Sequence, residues 1–340
     1  MSDLEDFDFE PEEDEEPRRD PKVNDARNAL EEFFEQHSSE VFYERQLEII
    51  FERQFFHWIT RKALYELHDA GDLSLESQQL NETVSIKLYR HKRHRFWKRQ
   101  AAEVTQLVRA FSAPPFIRAL GLHGELMFDA ALPSEGFMPK GKNITAYAGQ
   151  TWTSTAHNLD RLFERDGVIY GAEIKNTLPY IPLKEMRTKI TMCELFGIRP
   201  LFIVRMAPKS YIEEVRQHGG FTLVFQYQLY PHGSEGFAST VRERLKLPVD
   251  CPAAIAQGTI QRFARWHERN PRQPDACVFI DAPQSPFTIS HLPAPPSEFF
   301  HQFTNPTLKI PLRPHPSRTH YHHPTTRNPA RLSRVSTLHQ

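Results

Sequence analysis

A mixed α/β architecture, a sheet with helices on its faces, is predicted for the centre of this 340-residue chain. Asp166-Gly167 separates two apolar-rich runs, and Asp-Gly is a strong short-range signal for a two-residue hairpin. Leu201-Phe202-Ile203-Val204 is short and continuously apolar, as expected of a central strand buried on both faces. Around it, Leu183 to Ile198 and Lys209 to Gln217 carry helical spacing, so helices and strands interleave.

Length and composition set the frame. The chain suits one large or two ordinary domains. A hydrophobic content of 39% with 25% charged residues is that of a soluble protein. No apolar run approaches the roughly 20 residues of a membrane span. The acidic N-terminus is unlike a signal peptide, which needs a basic and then an apolar region. The expected location is therefore cytoplasmic and nucleoid-associated, not secreted. Cys193, Cys251 and Cys277 form no close pair, which suits a reducing compartment and excludes a zinc pattern. Asn81-Glu82-Thr83 and Asn143-Ile144-Thr145 match a glycosylation sequon by chance on this reading. A net charge of −1 conceals separate blocks. Residues 3–16 are dominated by acids and proline. Residues 83–102 hold no acid, and from Phe299 to the end there is again none. Acidic and basic blocks held apart suit a nucleic-acid protein with an acidic tail.

Taken in order, residues 1–25 read as an acidic disordered tail, unable to bury enough surface to offset the entropy of ordering. Residues 26–100 read as a small, mainly helical module. Ala26 to Phe34 and Tyr43 to Phe56 show helical spacing. Thr60 can cap a third helix, Arg61 to Ala70, that stops at Gly71. Leu73 to Leu75 and Val84 to Leu88 read as strands. Three helices followed by a hairpin, through Phe55-Phe56-His57-Trp58-Ile59-Thr60-Arg61-Lys62-Ala63-Leu64 and on to Leu73, resemble a winged-helix domain. That resemblance implies a helix starting near Thr60, with Arg61 and Lys62, in the major groove and a basic hairpin on the backbone. A winged helix used for protein contacts is the alternative. The run that follows carries Lys87, Arg90, Lys92, Arg93, Arg95, Lys98 and Arg99, interleaved with Tyr89, Phe96 and Trp97. Cations neutralise phosphates and aromatics stack on bases, so this run reads as a DNA contact, with a plain solvated face as the alternative.

Residues 101–270 read as the second domain. Helical periodicity over 101–131 is interrupted at Pro114-Pro115. Gly121 to Leu132 reads as a helix with Glu125 near its start, and Asn143 to Tyr147 as a strand. A type I′ turn at Asp166-Gly167 makes Arg165 face Val168 and places Asp160 opposite Glu173. Lys175, two residues on, shares that face. Directly opposed acids repel. A bound cation or a raised carboxyl pKa relieves this. Two carboxylates and an amine on one face describe a divalent-metal site with a charged group beside the metal-bound water. A solvated hairpin with chance acids is the alternative. The Leu183 helix puts Met186, Ile190 and Leu195 inside. Phe221 to Leu229 reads as a further strand and Ile255 to Trp266 as a packing helix. Residues 271–340, rich in proline, histidine and arginine, read as a largely disordered basic tail. His315, His320, His322 and His323 lie there without acidic or cysteine partners and do not suggest a structural metal.

With this order of elements, Asp160 followed by Glu173-Ile174-Lys175 resembles the D-(x)n-E-x-K signature of the PD-(D/E)XK nuclease superfamily. The resemblance spans about 115 to 230, with Leu159 where many members have proline. It implies a restriction-endonuclease-like αβββαβ core, and Glu125 is similar to the extra helix carboxylate of Holliday-junction resolvases and Mrr-type enzymes. Hydrolysis of a nucleic-acid phosphodiester would follow. Asp160 and Glu173 would bind Mg²⁺ or Mn²⁺, with the Ile174 carbonyl and Glu125 completing the shell. Lys175 would orient or help deprotonate the water. Lys184 and Arg187 are candidate phosphate contacts. The expected partner is double-stranded DNA, with a homodimer by family analogy. The alternatives are a winged-helix DNA-binding regulator with an inactive nuclease-like domain, and an RNA-directed nuclease.

Overall fold

The computed structural model describes residues 20–270. The segments 1–19 and 271–340, with the basic tail, its histidines and Cys277, lie outside the described residues. The mixed α/β class holds: nine α-helices and several sheets fill the described residues. None of those helices is long and apolar enough to cross a membrane.

The N-terminal elements are α1 (Lys22–Gln36), β1 (Val41–Tyr43), α2 (Glu44–Ile50), α3 (His57–Asp69), β2 (Leu73–Gln79) and β3 (Ser85–His91). The last two form a hairpin, and β1 pairs with β3, so the small antiparallel sheet runs β1-β3-β2. Several expectations are corrected here. Helix α1 begins at Lys22 and buries Val23, inside the stretch expected to be a tail. The Tyr43–Phe56 stretch is not one helix, because Val41-Phe42-Tyr43 is drawn into the sheet by Leu88, Tyr89 and Arg90. Thr60 caps nothing; α3 starts at His57, four residues before the expected Arg61, and Thr60 is buried within it. The stop at Gly71 is as expected, with φ of 77°. Asn81 has a structural role in the hairpin loop, where its Oδ1 accepts from the backbone N–H groups of Thr83 and Val84 at 3.0 and 2.8 Å.

Next come α4 (Lys98–Phe111) and α5 (Pro114–Ala131). Pro114-Pro115 opens α5, where a missing N–H costs nothing. Glu125 therefore lies well inside a longer helix, not near a start. A 3₁₀ turn (Leu132–Glu135) leads to β4 (Met138–Ile144), the small pair β5 (Ala146–Tyr147) and β6 (Gln150–Thr151), then β7 (Leu159–Arg165) and β8 (Val168–Lys175). The remainder is α6 (Leu183–Phe196), β9 (Arg199–Val204), α7 (Lys209–Gln217), β10 (Phe221–Val224), β11 (Gln228–Leu229), α8 (Glu235–Leu245), β12 (Val249–Asp250) and α9 (Gln257–Arg269). The expected Phe221–Leu229 strand is broken in two by Gln226, whose φ is 75°.

The main sheet runs β10-β9-β8-β7-β4. Strands β10, β9 and β8 are parallel, while β7 and β4 are antiparallel to their neighbours. One face packs Tyr170, Ala172, Ile174, Leu201 and Ile203 against α5 and α9. The other face takes α6, which comes close because Gly171 has no side chain: a Cβ there would stand 2.7 Å from Cys193 Sγ. Leu195, expected inside α6, is 41% exposed. A third apolar cluster joins Val41, Tyr43, Ile49 and Leu88 to Leu107, Phe116, Tyr230 and Val241. Asp160, Glu173 and Lys175 are thus carried by the middle of a sheet that is covered on both sides.

Candidate functional site: a charged centre on the β7–β8 hairpin

The hairpin turn has the geometry its sequence implies. Asp166 and Gly167 have φ of 52° and 72°, and Arg165 pairs with Val168. Helix α9 clamps the turn, with His267 bridging the Tyr170 hydroxyl at 2.7 Å and Asp166 Oδ2 at 3.1 Å. The β7–β8 ladder ends at Arg161–Ala172, so the expected Asp160–Glu173 pair lies one step beyond its last registered rung. The Ile174 N–H donates to Asp160 Oδ2 at 2.8 Å, which fixes that carboxyl at the end of the ladder.

Strand alternation puts Glu173 and Lys175 on the α6 face, and Nζ of Lys175 stands 2.8 Å from Glu173 Oε1. Two residues that the sequence reading did not single out complete the centre. Glu185, in the first turn of α6, holds Lys175 Nζ from the other side at 2.8 Å. Lys189, one turn on and only 3% exposed, places its Nζ 2.6 Å from Glu173 Oε2 and also donates to the Asn158 carbonyl. A signal for Lys189 was present, because Met186, Lys189, Ile190 and Cys193 follow the i, i+3, i+4, i+7 spacing of a buried stripe. A lysine within such a stripe needs an acidic partner.

Three carboxylates (Asp160, Glu173, Glu185) face two ammonium groups (Lys175, Lys189), leaving a net negative charge when all are ionised. Burial pushes the Asp160 carboxyl up, against the pull of the Ile174 N–H and of Lys175. Burial likewise raises Glu173, opposed by Lys175 and reinforced by Asp160. Burial disfavours the Lys175 ammonium, but Glu173 and Glu185 outweigh it and hold Lys175 well above the ordinary lysine range. Glu185 is lowered: burial works against its charge, and Lys175 overrides it. Glu173 is ion-paired on both sides, one oxygen to each lysine ammonium.

Glu125 stands apart from this cluster. It pairs with Arg161 at 2.9 Å, beside Asp129, which accepts from the same guanidinium at 3.0 Å. Arg161 neighbours Asp160 on β7 and so points to the opposite, α5 face. The charge of Glu125 still adds to the upward push on Asp160. Among the described residues no three His, Cys, Asp or Glu side chains converge as a metal-ligand group. A cation here would rest on Asp160, Glu173, a backbone carbonyl such as that of Ile174, and water. That donor set is all hard oxygen. It fits Mg²⁺, which is commonly held by one or two carboxylates while keeping several waters.

Behind the centre, Asn176 closes the end of β8. Its amide donates to the carbonyls of Leu120 and Leu229 at 2.8 and 2.7 Å and accepts from the Leu229 N–H at 2.7 Å. Helix α5 reaches it only because residue 124 is glycine; a Cβ there would lie 2.6 Å from that of Asn176. A cleft of about 290 Å³ opens between α6 and the segment before β7, lined by Trp152, Thr155, Lys184, Arg187, Thr188 and Thr191 and by none of the residues of the centre. Arg187 is paired with Glu214 at 2.7 Å, whereas Lys184 is exposed.

The basic residues of the N-terminal module are mostly engaged. Arg61 is tied to Glu48 at 2.7 Å, and Lys87 bonds the Tyr65 hydroxyl at 2.5 Å. Arg90 lies over the Trp97 ring, 4.7 Å from its centroid. Lys92 pairs with Asp72 at 2.7 Å, Arg93 with Glu35 at 3.7 Å and Arg99 with Glu103 at 3.0 Å. Lys62, Arg95 and Lys98 are exposed, with no ion pair among the described residues. The exposed part of α3 also carries Asp69, so it is mixed in charge and not a basic face. Compared with family models, with curated proteins and with solved structures, the chain matches none.

Proposed function

We propose that this protein is a metal-dependent endonuclease that hydrolyses DNA phosphodiester bonds, in restriction of foreign DNA or in repair and recombination. The observation that supports the reading is the end of the hairpin ladder, where the Ile174 N–H holds the Asp160 carboxyl beside the strand that bears the paired Glu173 and Lys175. The order α5, β4, β7, β8, α6, β9 agrees with the αβββαβ core of the PD-(D/E)XK superfamily. The order α1, β1, α2, α3, β2, β3, with its β1-β3-β2 sheet, agrees with a winged helix preceding that core.

In this reading Asp160, Glu173 and the Ile174 carbonyl would hold Mg²⁺ or Mn²⁺, which when bound would supply a water of lowered pKa, neutralise phosphate charge and turn the net negative centre cationic, as suits a phosphodiester anion. Lys175, kept protonated by Glu173 and Glu185, orients the water and donates to the oxygens on which charge develops. It is poorly suited to removing a proton. Glu185 acts as a positioning residue through Lys175, and Lys189 through Glu173. Lys184, which lines the cleft, would meet a flanking phosphate.

A second reading is favoured by one observation. Both oxygens of Glu173 are already within ion-pair distance of lysines, which is how a centre without a metal would balance its charge. A DNA-binding regulator with an inactive nuclease-like domain would look this way. Incubation with supercoiled plasmid, branched and single-stranded substrates in Mg²⁺ or Mn²⁺ separates the two. Cleavage that stops on adding EDTA is expected. Tight DNA binding with no cleavage of any substrate in either metal leaves the regulator.

A further inference from the structure

Between β3 and α4, at the corner of the N-terminal module, the chain turns through His94, Arg95, Phe96 and Trp97. Phe96 is 91% exposed, while the next most exposed large apolar side chain among the described residues, Met138, reaches 51%. Its neighbour Trp97 is partly buried against the core and already covered by the Arg90 guanidinium. The cations around this corner divide sharply. Lys92, Arg93 and Arg99 each have a carboxylate within 4 Å. Arg95 and Lys98, which flank Phe96, have none among the described residues, and the first turn of α4 holds no acid. The most exposed aromatic ring is thus framed by cations left uncompensated.

A phenyl ring has no hydrogen-bonding group with which to read phosphates or base edges. Its contribution to nucleic-acid binding is stacking on a base face, or wedging between two bases. In an intact duplex those faces are covered by neighbouring base pairs. They are open in a single strand, at a fork or gap, or at a kinked step. We infer that Phe96, with Arg95 and Lys98 on the adjoining phosphates, is a binding site for an unstacked base, so that this protein selects nucleic acid with a single-stranded or branched feature over uninterrupted duplex. The inference deepens the nucleic-acid part of the proposed function and does not depend on cleavage.

The test is equilibrium binding of the full-length chain by fluorescence anisotropy in EDTA. Three labelled DNAs are compared: a blunt duplex, the same duplex with a single-stranded arm, and the single strand alone. Wild type should bind the two forms containing single strand at least about fivefold tighter than the blunt duplex. Phe96→Ala and Phe96→Leu should lose that advantage while changing blunt-duplex affinity less than twofold; so exposed a residue leaves the fold intact, and leucine keeps the apolar bulk without the ring. Arg95→Ala with Lys98→Ala should weaken all three and flatten the salt dependence, by roughly 0.9 in log–log slope on duplex for each phosphate no longer neutralised. No preference in wild type, or a preference that survives Phe96→Ala, overturns the inference. So does Phe96-dependent binding to phosphatidylglycerol vesicles without any effect on DNA, which would make the corner a membrane contact. Because no metal is present, failure to cleave DNA would remove the nuclease reading and leave this result standing, and the reverse also holds.

Discussion

Two buried ionic centres lie at the ends of neighbouring strands, and they are built in opposite ways. Arg205, just past β9, meets Glu52 bidentately at 2.7 and 2.6 Å. Its remaining donors go to the Leu178 carbonyl, at 3.1 and 2.5 Å. One cation meets one anion, and the pair ties the turn after α2 to the sheet. The centre at Asp160, Glu173 and Lys175 has more acids than bases, with three carboxylates facing two ammonium groups. A closed pair has nothing to offer a ligand. An open one retains charge and lone pairs at a cost in stability, which a structure tolerates where function needs it.

The largest effects should separate the two centres by what their removal abolishes. Arg205→Met leaves Glu52 uncompensated and should cost roughly 3–5 kcal/mol in urea unfolding, while adding Glu52→Leu should recover most of that. The double variant should cleave DNA as wild type does. Lys189→Met, which removes one of the two ammonium groups at Glu173, should destabilise by a similar amount. In combination with Glu173→Leu it should regain stability but not cleavage. If the Arg205 pair proves as important for cleavage as the Lys189 pair, the contrast between them fails.

Gly124→Ala should come next. The added methyl would press on Asn176 at 2.6 Å and disturb the end of β8 next to Lys175. A loss of about 1–3 kcal/mol is expected, with cleavage reduced in the molecules that remain folded. The smallest effect has the opposite sign. Burial raises the Asp160 carboxyl, so the folded chain keeps a proton that the unfolded chain has released. Its contribution to stability therefore falls as pH rises from the usual carboxylate value, about 3.9, to the raised folded value, and stays flat above it. Asp160→Asn should raise the Tm at neutral pH by a few degrees, on a scale of roughly 2–4 °C per kcal/mol. That gap should close as pH falls through the window, and the variant should not cleave. A variant no more stable than wild type at pH 7 would show that the acid is not held at a cost.

What the sequence made legible was local. Asp166-Gly167 dictates its own turn, and strand alternation then carries the information to Asp160, Glu173 and Lys175 without reference to the rest of the chain. The Leu201–Val204 strand and the Gly71 stop were legible for the same reason. What stayed hidden depends on partners distant in sequence. Val41-Phe42-Tyr43 becomes a strand only because β3 lies beside it. Glu185 looks like an ordinary helical charge until α6 is laid on the Gly171 face, and the acidic partner that the buried stripe demands for Lys189 is not legible until then either. Glu125 was expected beside the acids, but Arg161, one residue from Asp160 and on the other face, holds it there. The even spread of cations over 87–99 likewise gave no hint that most of them are neutralised by acids from α1, α2, α4 and the α3–β2 turn.

The most direct test of the charged centre uses Lys175, whose ammonium is paired with Glu173 and Glu185 at its edge. End-labelled DNA is incubated with wild type and Lys175→Ala, in Mg²⁺ and in EDTA, with binding measured in parallel. Wild-type cleavage should require the metal, and Lys175→Ala should lose at least about 10²-fold in rate while binding DNA as before. Full cleavage by Lys175→Ala, or cleavage by wild type that EDTA leaves unchanged, would contradict the assignment.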